Sequence, residues 1–409
     1  MKRPLFLALA ATLLCSPHVR AATEENPAPD PQALYRDALQ SIAEGRQNDA
    51  ADTLQRVIDQ EPLHAGAWLD LALIQCGLGH TAEAERLFTI IEQRFAPPDG
   101  IMQLITDARQ HGCNSWTAQS QYSLSVGRGI DQNVNQGSRA NYGTLMGAET
   151  QFDLAPEFRP KHDQFSVVSA DYMRDLSANG SFGYAQFQSR RNDHLHQYDS
   201  DSLFAGAEMP WRWRNWSVKA NAMVGVITLG GQYYQRQFQT QLRLGPPQIL
   251  PYSVQFNLLG SLTRVEYMTL DNFDATTGEL RAQLSRRGES SIVSANFGIL
   301  DDRADSARPG GNRHGLAASA QWRQRLPRGI TTELGYSWQS WHSASPYAPG
   351  VIDVVRRQYN HSLRAAISYP LSKQTALLLE ARAVHNQENV PIFQYNGRLL
   401  QLSWQWQGP

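Results

Sequence analysis

Three sets of residues in this chain could do chemistry. The run Asp131-Gln132-Asn133-Val134-Asn135-Gln136-Gly137 puts oxygen donors at alternate positions, as a calcium loop would. Its glycine comes one residue late, and Tyr142 stands where a bidentate acid would fall. Turn chemistry, with Asp131, Asn133 and Asn135 capping nearby backbone, is the better reading. His194 and His196 lie close to Asp193 and Asp199, but the spacing matches no standard metal site. No Gly-x-Ser-x-Gly elbow and no His-Glu-x-x-His occurs. The expectation is therefore no catalytic residue, no metal, no cofactor and no enzymatic activity.

The third set is charged. Lys219, Arg243, Arg281, Glu333, Arg364, Glu380 and Arg382 each stand on the polar file of a segment that alternates polar and apolar residues. Such a file lines a conducting path or closes into an ion-pair network, and the sequence leaves both open. The clearest alternation is Tyr233 to Leu244. Gln235, Gln237, Gln239, Gln241 and Arg243 form one face; Tyr234, Arg236, Phe238, Thr240, Leu242 and Leu244 form the other. Successive strand side chains point to opposite faces. Arg236, the exception on the apolar file, must then lie where its head can snorkel to water.

The elements that position these residues follow from the rest of the chain. It has 409 residues, a net charge of −1 and 18% charged residues, which gives no reason to expect a nucleic-acid partner. After the N-terminus no apolar run approaches the ~20 residues of a transmembrane helix. A membrane barrel stays open, because its lumen-facing residues hide it from hydropathy. Residues 1–21 read as an export signal, with Lys2 and Arg3, an apolar core and a small-residue site ending at Ala21. Cys15 follows Leu14, where a lipobox needs a small residue. Residues 22–32 read as a flexible leader.

Residues 33–113 read as a helical domain of tetratricopeptide (TPR) type, an α-solenoid. Gly45, Ala50 and Leu54 recur as Gly79, Ala84 and Phe88, a spacing of about 34 residues. Helices are expected at 33–44, 48–60, 64–77, 81–94 and 99–111. Asp37 and Ser41 stand in the first helix where large apolar side chains usually do. A concave TPR face would present Trp68, Leu71 and Gln75 to a partner. Cys76 and Cys113 are compatible with a disulfide fastening the last helix, and equally with two buried thiols.

From residue 114 to 409 the period changes to two. Long alternating segments, with aromatics at their ends (Trp116, Tyr122, Trp211, Trp213, Trp216, Tyr233, Tyr252, Trp338, Trp341, Tyr369, Trp404, Trp406), read as an antiparallel transmembrane β-barrel. About fourteen strands are expected, sixteen being the tighter alternative. Long connections are expected at 128–139 (the first external loop), 190–199, 268–277, 302–313 and 342–354. Short ones fall near Asn179-Gly180, Leu326-Pro327-Arg328-Gly329 and Pro370-Leu371-Ser372-Lys373. Gln235, Gln237, Gln239, Gln241, Arg243, Glu333, Arg364 and Arg382 then line the lumen.

An export signal, the run LALIQCGLGHTAEAERLF, the link Ala96-Pro97-Pro98 and a barrel opening with Asp131-x-Asn133-Val134-Asn135 resemble the surface lipoprotein assembly modulator (Slam) family. The resemblance spans essentially the whole mature chain and implies a periplasmic TPR domain plus a C-terminal outer-membrane barrel. It also implies a client lipoprotein or periplasmic chaperone as partner, outer-membrane lipid around the barrel, and barrel assembly machinery reading Leu400 to Trp406. The TPR part is shorter than in the family's larger members. The other readings are an exopolysaccharide export porin with a TPR scaffold, and a plain porin or surface receptor.

Overall fold

A computed structural model describes residues 31–43, 45–112, 117–145, 150–213, 216–247, 250–251 and 254–408. The export signal, most of the leader and Cys113 lie outside them.

Five helices come first: α1 (Pro31–Ala43), α2 (Gln47–Gln60), α3 (Ala65–Gly77), α4 (Thr81–Phe95) and α5 (Asp99–His111). The first starts two residues before the expected boundary, inside the segment read as leader. Gly45 and Gly79 end their helical units with φ of +74° and +82°, a conformation that disfavours any side chain. The core repeats at the same interval. Ala38 and Ala72, Ala50 and Ala84, Leu54 and Phe88 are each at most 2% exposed. The paired alanines let the helices approach closely, and the larger residues fill the space between them. The Tyr35 hydroxyl donates to Asp70 at 2.7 Å, tying α1 to α3; burial, then that bond, pushes the phenol up to about 12. Arg109 on α5 reaches Glu85 (2.8 Å) and Glu92 (2.6 Å) on α4.

The remaining chain is nearly all strand. The strands are β1 (Ser120–Asp131), β2 (Tyr142–Leu145), β3 (Thr150–Asp153), β4 (Asp163–Asp175), β5 (Phe182–Asn192), β6 (Ser200–Trp213), β7 (Trp216–Leu229) and β8 (Gln232–Gly245). They continue as β9 (Val254–Tyr267), β10 (Ala275–Arg287), β11 (Ser291–Ala304), β12 (Arg313–Arg325), β13 (Thr331–Ala348), β14 (Ile352–Pro370), β15 (Thr375–Glu388) and β16 (Tyr395–Gly408). β2 and β3 form a separate hairpin. The other fourteen make a closed antiparallel barrel in which each strand pairs with its sequence neighbours and β16 closes onto β1. Closure leaves no unpaired edge, which a strand bundle needs in lipid.

One barrel end carries the helices. All three expected short joins fall there, and the five segments expected as long connections fall at the far end. Several boundaries differ from the sequence reading. β1 runs on to Asp131, and the first far loop extends over 132–162, holding the β2–β3 hairpin. Residues 342–354 are mostly not loop: β13 and β14 pair nearly to their tip, with register shifts at Pro346, a residue that cannot donate to the ladder. β11 likewise continues through residues 302–304.

The outward file is apolar and open to its surroundings: Leu262 is 58% exposed, Leu280 55%, Phe297 53% and Leu402 53%. So many large apolar side chains would be costly in water, and they form the belt a bilayer covers. Trp213, Trp322, Tyr369 and Trp404 border it at the helical end. Trp341 does not belong to the girdle. It is register partner to Gly315 on the inward file and lies under Arg313, 4.9 Å from the ring centroid.

Candidate functional site

The β8 glutamines stand in register with Ile227, Gly225, Met223 and Asn221 on β7 and with Tyr267, Val265, Thr263 and Ser261 on β9. The alternate residues Arg236, Phe238, Thr240 and Leu242 continue the outward apolar file of Val226, Val224, Ala222 and Ala220. Gln235, Gln237, Gln239, Gln241 and Arg243 therefore face inward, and all five are half-buried rather than packed away. Arg236 sits at the far rim, paired with Glu266.

Across the barrel, β12 to β15 bring charges together on the inner wall. Arg323 meets Glu333 at 2.5 Å, Glu333 meets Arg364 at 2.9 Å, and Arg364 meets Glu380 at 2.6 Å. Lys219 similarly meets Glu208 (3.4 Å), and Arg281 meets Glu279 (2.6 Å). Arg382 is register partner to Arg364, and among the described residues neither it nor Arg243 meets a carboxylate within 4.0 Å. A cavity of about 300 Å³ in this wall is lined by Arg323, Glu333, Arg364 and Arg382 with Ser294 and Ser319. The side chains of Arg323 and Lys219 keep 59% and 38% of their surface exposed, so water reaches the inner wall. Pairs this wet contribute little to stability. Their consequence is a polar, nearly charge-balanced surface with two unpaired guanidiniums.

The far mouth is built differently. Asp302, 1% exposed, accepts from Arg313 and Thr277 and holds Arg308 at 2.9 Å, turning loop 305–312 back against the inner wall. Glu388 accepts from Nε and Nη2 of Arg356, each at 2.6 Å, and Arg356 lies over the Phe393 ring at 4.3 Å. Asp131 pairs with Arg190 at 3.0 Å, and Arg190 covers Phe165 at 4.0 Å. These buried partners were not read from the sequence, because Asp302 fell in an assigned loop and pairing depends on register.

The Asp131 segment is a turn clamp. Asn133 is 5% exposed; its amide donates to the carbonyls of Gly137 (3.0 Å) and Asn396 (2.8 Å), and its oxygen accepts from Gly137 N. Asn135 donates to Arg159 O and accepts from Lys161 N. The side-chain oxygens of both asparagines are spent on the chain itself, and among the described residues no group of three metal-ligating side chains forms. His194 instead bonds Asp163 at 3.0 Å, and that bond raises its pKa.

In the helical unit, Trp68 donates to Pro62 O and packs near Phe95, and Gln75 bonds His80 at 2.7 Å. Leu71 is 2% exposed and belongs to the core between helices, so it is a packing residue with no surface to offer a partner. Cys76 is buried and disulfide-bonded; its proposed mate, Cys113, lies outside the described residues. The two residues that break the repeat pattern have a use. Asp37 accepts from Arg212 at 2.5 Å and Ser41 from the same nitrogen at 3.3 Å, while Gln47 N reaches Ala178 O at 3.3 Å. Arg212 is on the inward file of β6 at the helical end, so α1 is fastened to the rim of that mouth.

No family model matches the chain, and no curated protein does. Among solved structures, it is similar to an outer membrane channel from Pseudomonas putida F1 (9% identity, TM-score 0.39, 72% of this chain and 97% of that one). It is also similar to the anion-selective porin from Comamonas acidovorans (9%, 0.38, 71% and 99%) and to the outer membrane channel DcaP of Acinetobacter baumannii (8%, 0.37, 71% and 97%). At such scores the likeness decides nothing further, and the barrel rests on its own strand register.

Proposed function

We propose that this chain is an outer-membrane conduit of the surface lipoprotein assembly type, with its helices in the periplasm. The helical unit, two TPR-like repeats and a last helix, receives an extended client and delivers it to the barrel mouth. The barrel then gives passage along its polar wall. The observation that carries this reading is the fastening of α1 to the rim through Asp37, Ser41 and Arg212, which stands a repeat domain at the mouth of a wet-walled barrel. The apolar outward belt supports the membrane, and the longer far-end connections support an external far end. Trp68 and Gln75, half-buried, are the residues of the helical surface offered to the client.

The test is a strain producing the chain without residues 33–112. Heat-modifiable migration should show the barrel still inserted, while lipoproteins disappear from the cell surface. Unchanged lipoprotein display removes the helices from the mechanism. Loss of a surface polysaccharide instead favours an export porin, for which the uncharged glutamine file would suit sugar hydroxyls.

A further inference from the structure

The outward face carries charge at its far border in two different ways. On β8 to β11 the outward arginines are matched. Arg236 and Arg264 share Glu266, Arg264 also meets Asp305 at 2.5 Å, and Arg303 meets Asp301 at 2.8 Å. On β12 to β16 they are not. His314 is register partner to His342, and His342 to Arg357, so three basic side chains stand in one row over three strands. The two imidazoles stack at 5.7 Å. In a second row His361 is register partner to His385, and Arg398 is two residues along β16 from Asn396, the partner of His385. Four carboxylates occur on these five strands. Glu333, Glu380 and Glu388 face inward, and Asp353, at the hairpin tip, accepts from Gly350 N. Among the described residues neither Arg357 nor Arg398 meets a carboxylate within 4.0 Å, and both are exposed.

Below the histidine rows on the same faces lie Leu316, Leu363, Ala383 and Leu400, the apolar belt, and Arg398 stands in the row of Leu363 and Ala383 at its upper edge. The basic groups therefore span the border where acyl chains give way to headgroups, with Arg357 outermost and Arg398 innermost. We propose that this patch binds the phosphate groups of a phosphorylated, acylated lipid in the far leaflet. One phosphate sits on Arg357 and another on Arg398, whose head snorkels outward from its row, with the histidines as donors between them and the chains along Leu363 and Leu400. Guanidinium pairs well with phosphate, and a desolvated headgroup site strengthens the pair. A soluble anion would not need the apolar floor. This rests on the reading that the barrel crosses a membrane.

The test uses the full chain purified in detergent, with native mass spectrometry counting bound lipid A in its bisphosphorylated and dephosphorylated forms. The phosphorylated lipid should bind at least tenfold more tightly. R357Q/R398Q should bind it about 30-fold more weakly, the effect of two headgroup-level guanidiniums. R236Q/R303Q, which removes matched arginines, should stay within threefold of the parent. H361Q/H385Q gives a second, milder variant should the first fail to fold, with a loss of about threefold to tenfold expected. The proposal is overturned if both patch variants keep parental binding, if the dephosphorylated lipid binds equally well, or if inorganic phosphate in tenfold excess displaces the lipid. It is also overturned if the variants dissociate an oligomer while leaving lipid binding intact, since the patch is then a contact between copies. Heat-modifiable migration and recovery from the outer-membrane fraction are scored separately. Their failure removes the membrane reading, whereas normal insertion without phosphate preference removes only the lipid site.

Discussion

Replacing Asp302 by Asn should release the loop over 305–312. The carboxylate is 1% exposed and holds the Arg308 guanidinium, itself 4% exposed, at 2.9 Å. Burial pulls Arg308 below its ordinary pKa even with Asp302 beside it, so the pair is poised between desolvation and attraction. Removing one partner of a buried pair leaves the other charge uncompensated and costs about 3–5 kcal/mol. At about 1.4 kcal/mol per decade, the released loop becomes a hundred to a few thousand times more populated. The loop's own bonds report this: Gly311 N to Arg308 O (2.9 Å) and Ser345 N to Gly310 O (3.1 Å). Hydrogen exchange of D302N should accelerate at these amides by two orders of magnitude or more, with heat-modifiable migration unchanged. D302N/R308M, which removes the stranded charge, should recover most of the protection. Exchange within threefold of the parent in D302N would show that the ion cluster does not hold the loop.

Three further outcomes follow from other contacts. D37R should detach the helical unit from the rim, raising the distance between spin labels on α1 and the 176–181 turn, and D37R/R212D should restore it; at about 1–2 kcal/mol for a charge-assisted, partly buried bond, the ratio of docked to undocked molecules falls roughly tenfold. His194 has a raised pKa through its bond to Asp163, so its anchoring of loop 193–199 is full below the unfolded imidazole value of about 6.5 and fades as pH rises through the folded value. Amide exchange in that loop should speed up between pH 6 and 9 beyond the intrinsic rate, and H194N should abolish the excess. Deleting residues 33–112 should leave an inserted barrel and remove surface lipoproteins.

The helices were legible within about two residues because repeated glycine turns and alanine contacts mark them directly. Strand facing was legible because parity carries it, and fourteen strands emerged from segment spacing. What was hidden depends on partners distant in sequence. Pro346 looks like a loop residue until β14 pairs around it. Trp341 looks like a girdle residue until the register sets it on the inward file under Arg313. Asp37 and Ser41 look like defects in a repeat until Arg212, 175 and 171 residues away, explains them. Leu71 looks like a residue of an open concave face, although the same repeat that predicts its helix sends it to the core.

The proposed route takes a lipoprotein along the inner wall. A photo-crosslinking side chain at position 239, inward in place of Gln239, tests it against the same group at 238, outward in place of Phe238. During active surface display, position 239 should yield an adduct with a lipoprotein and position 238 should yield none. An adduct only at 238, or none at either position while lipoproteins still reach the surface, would contradict passage through the barrel.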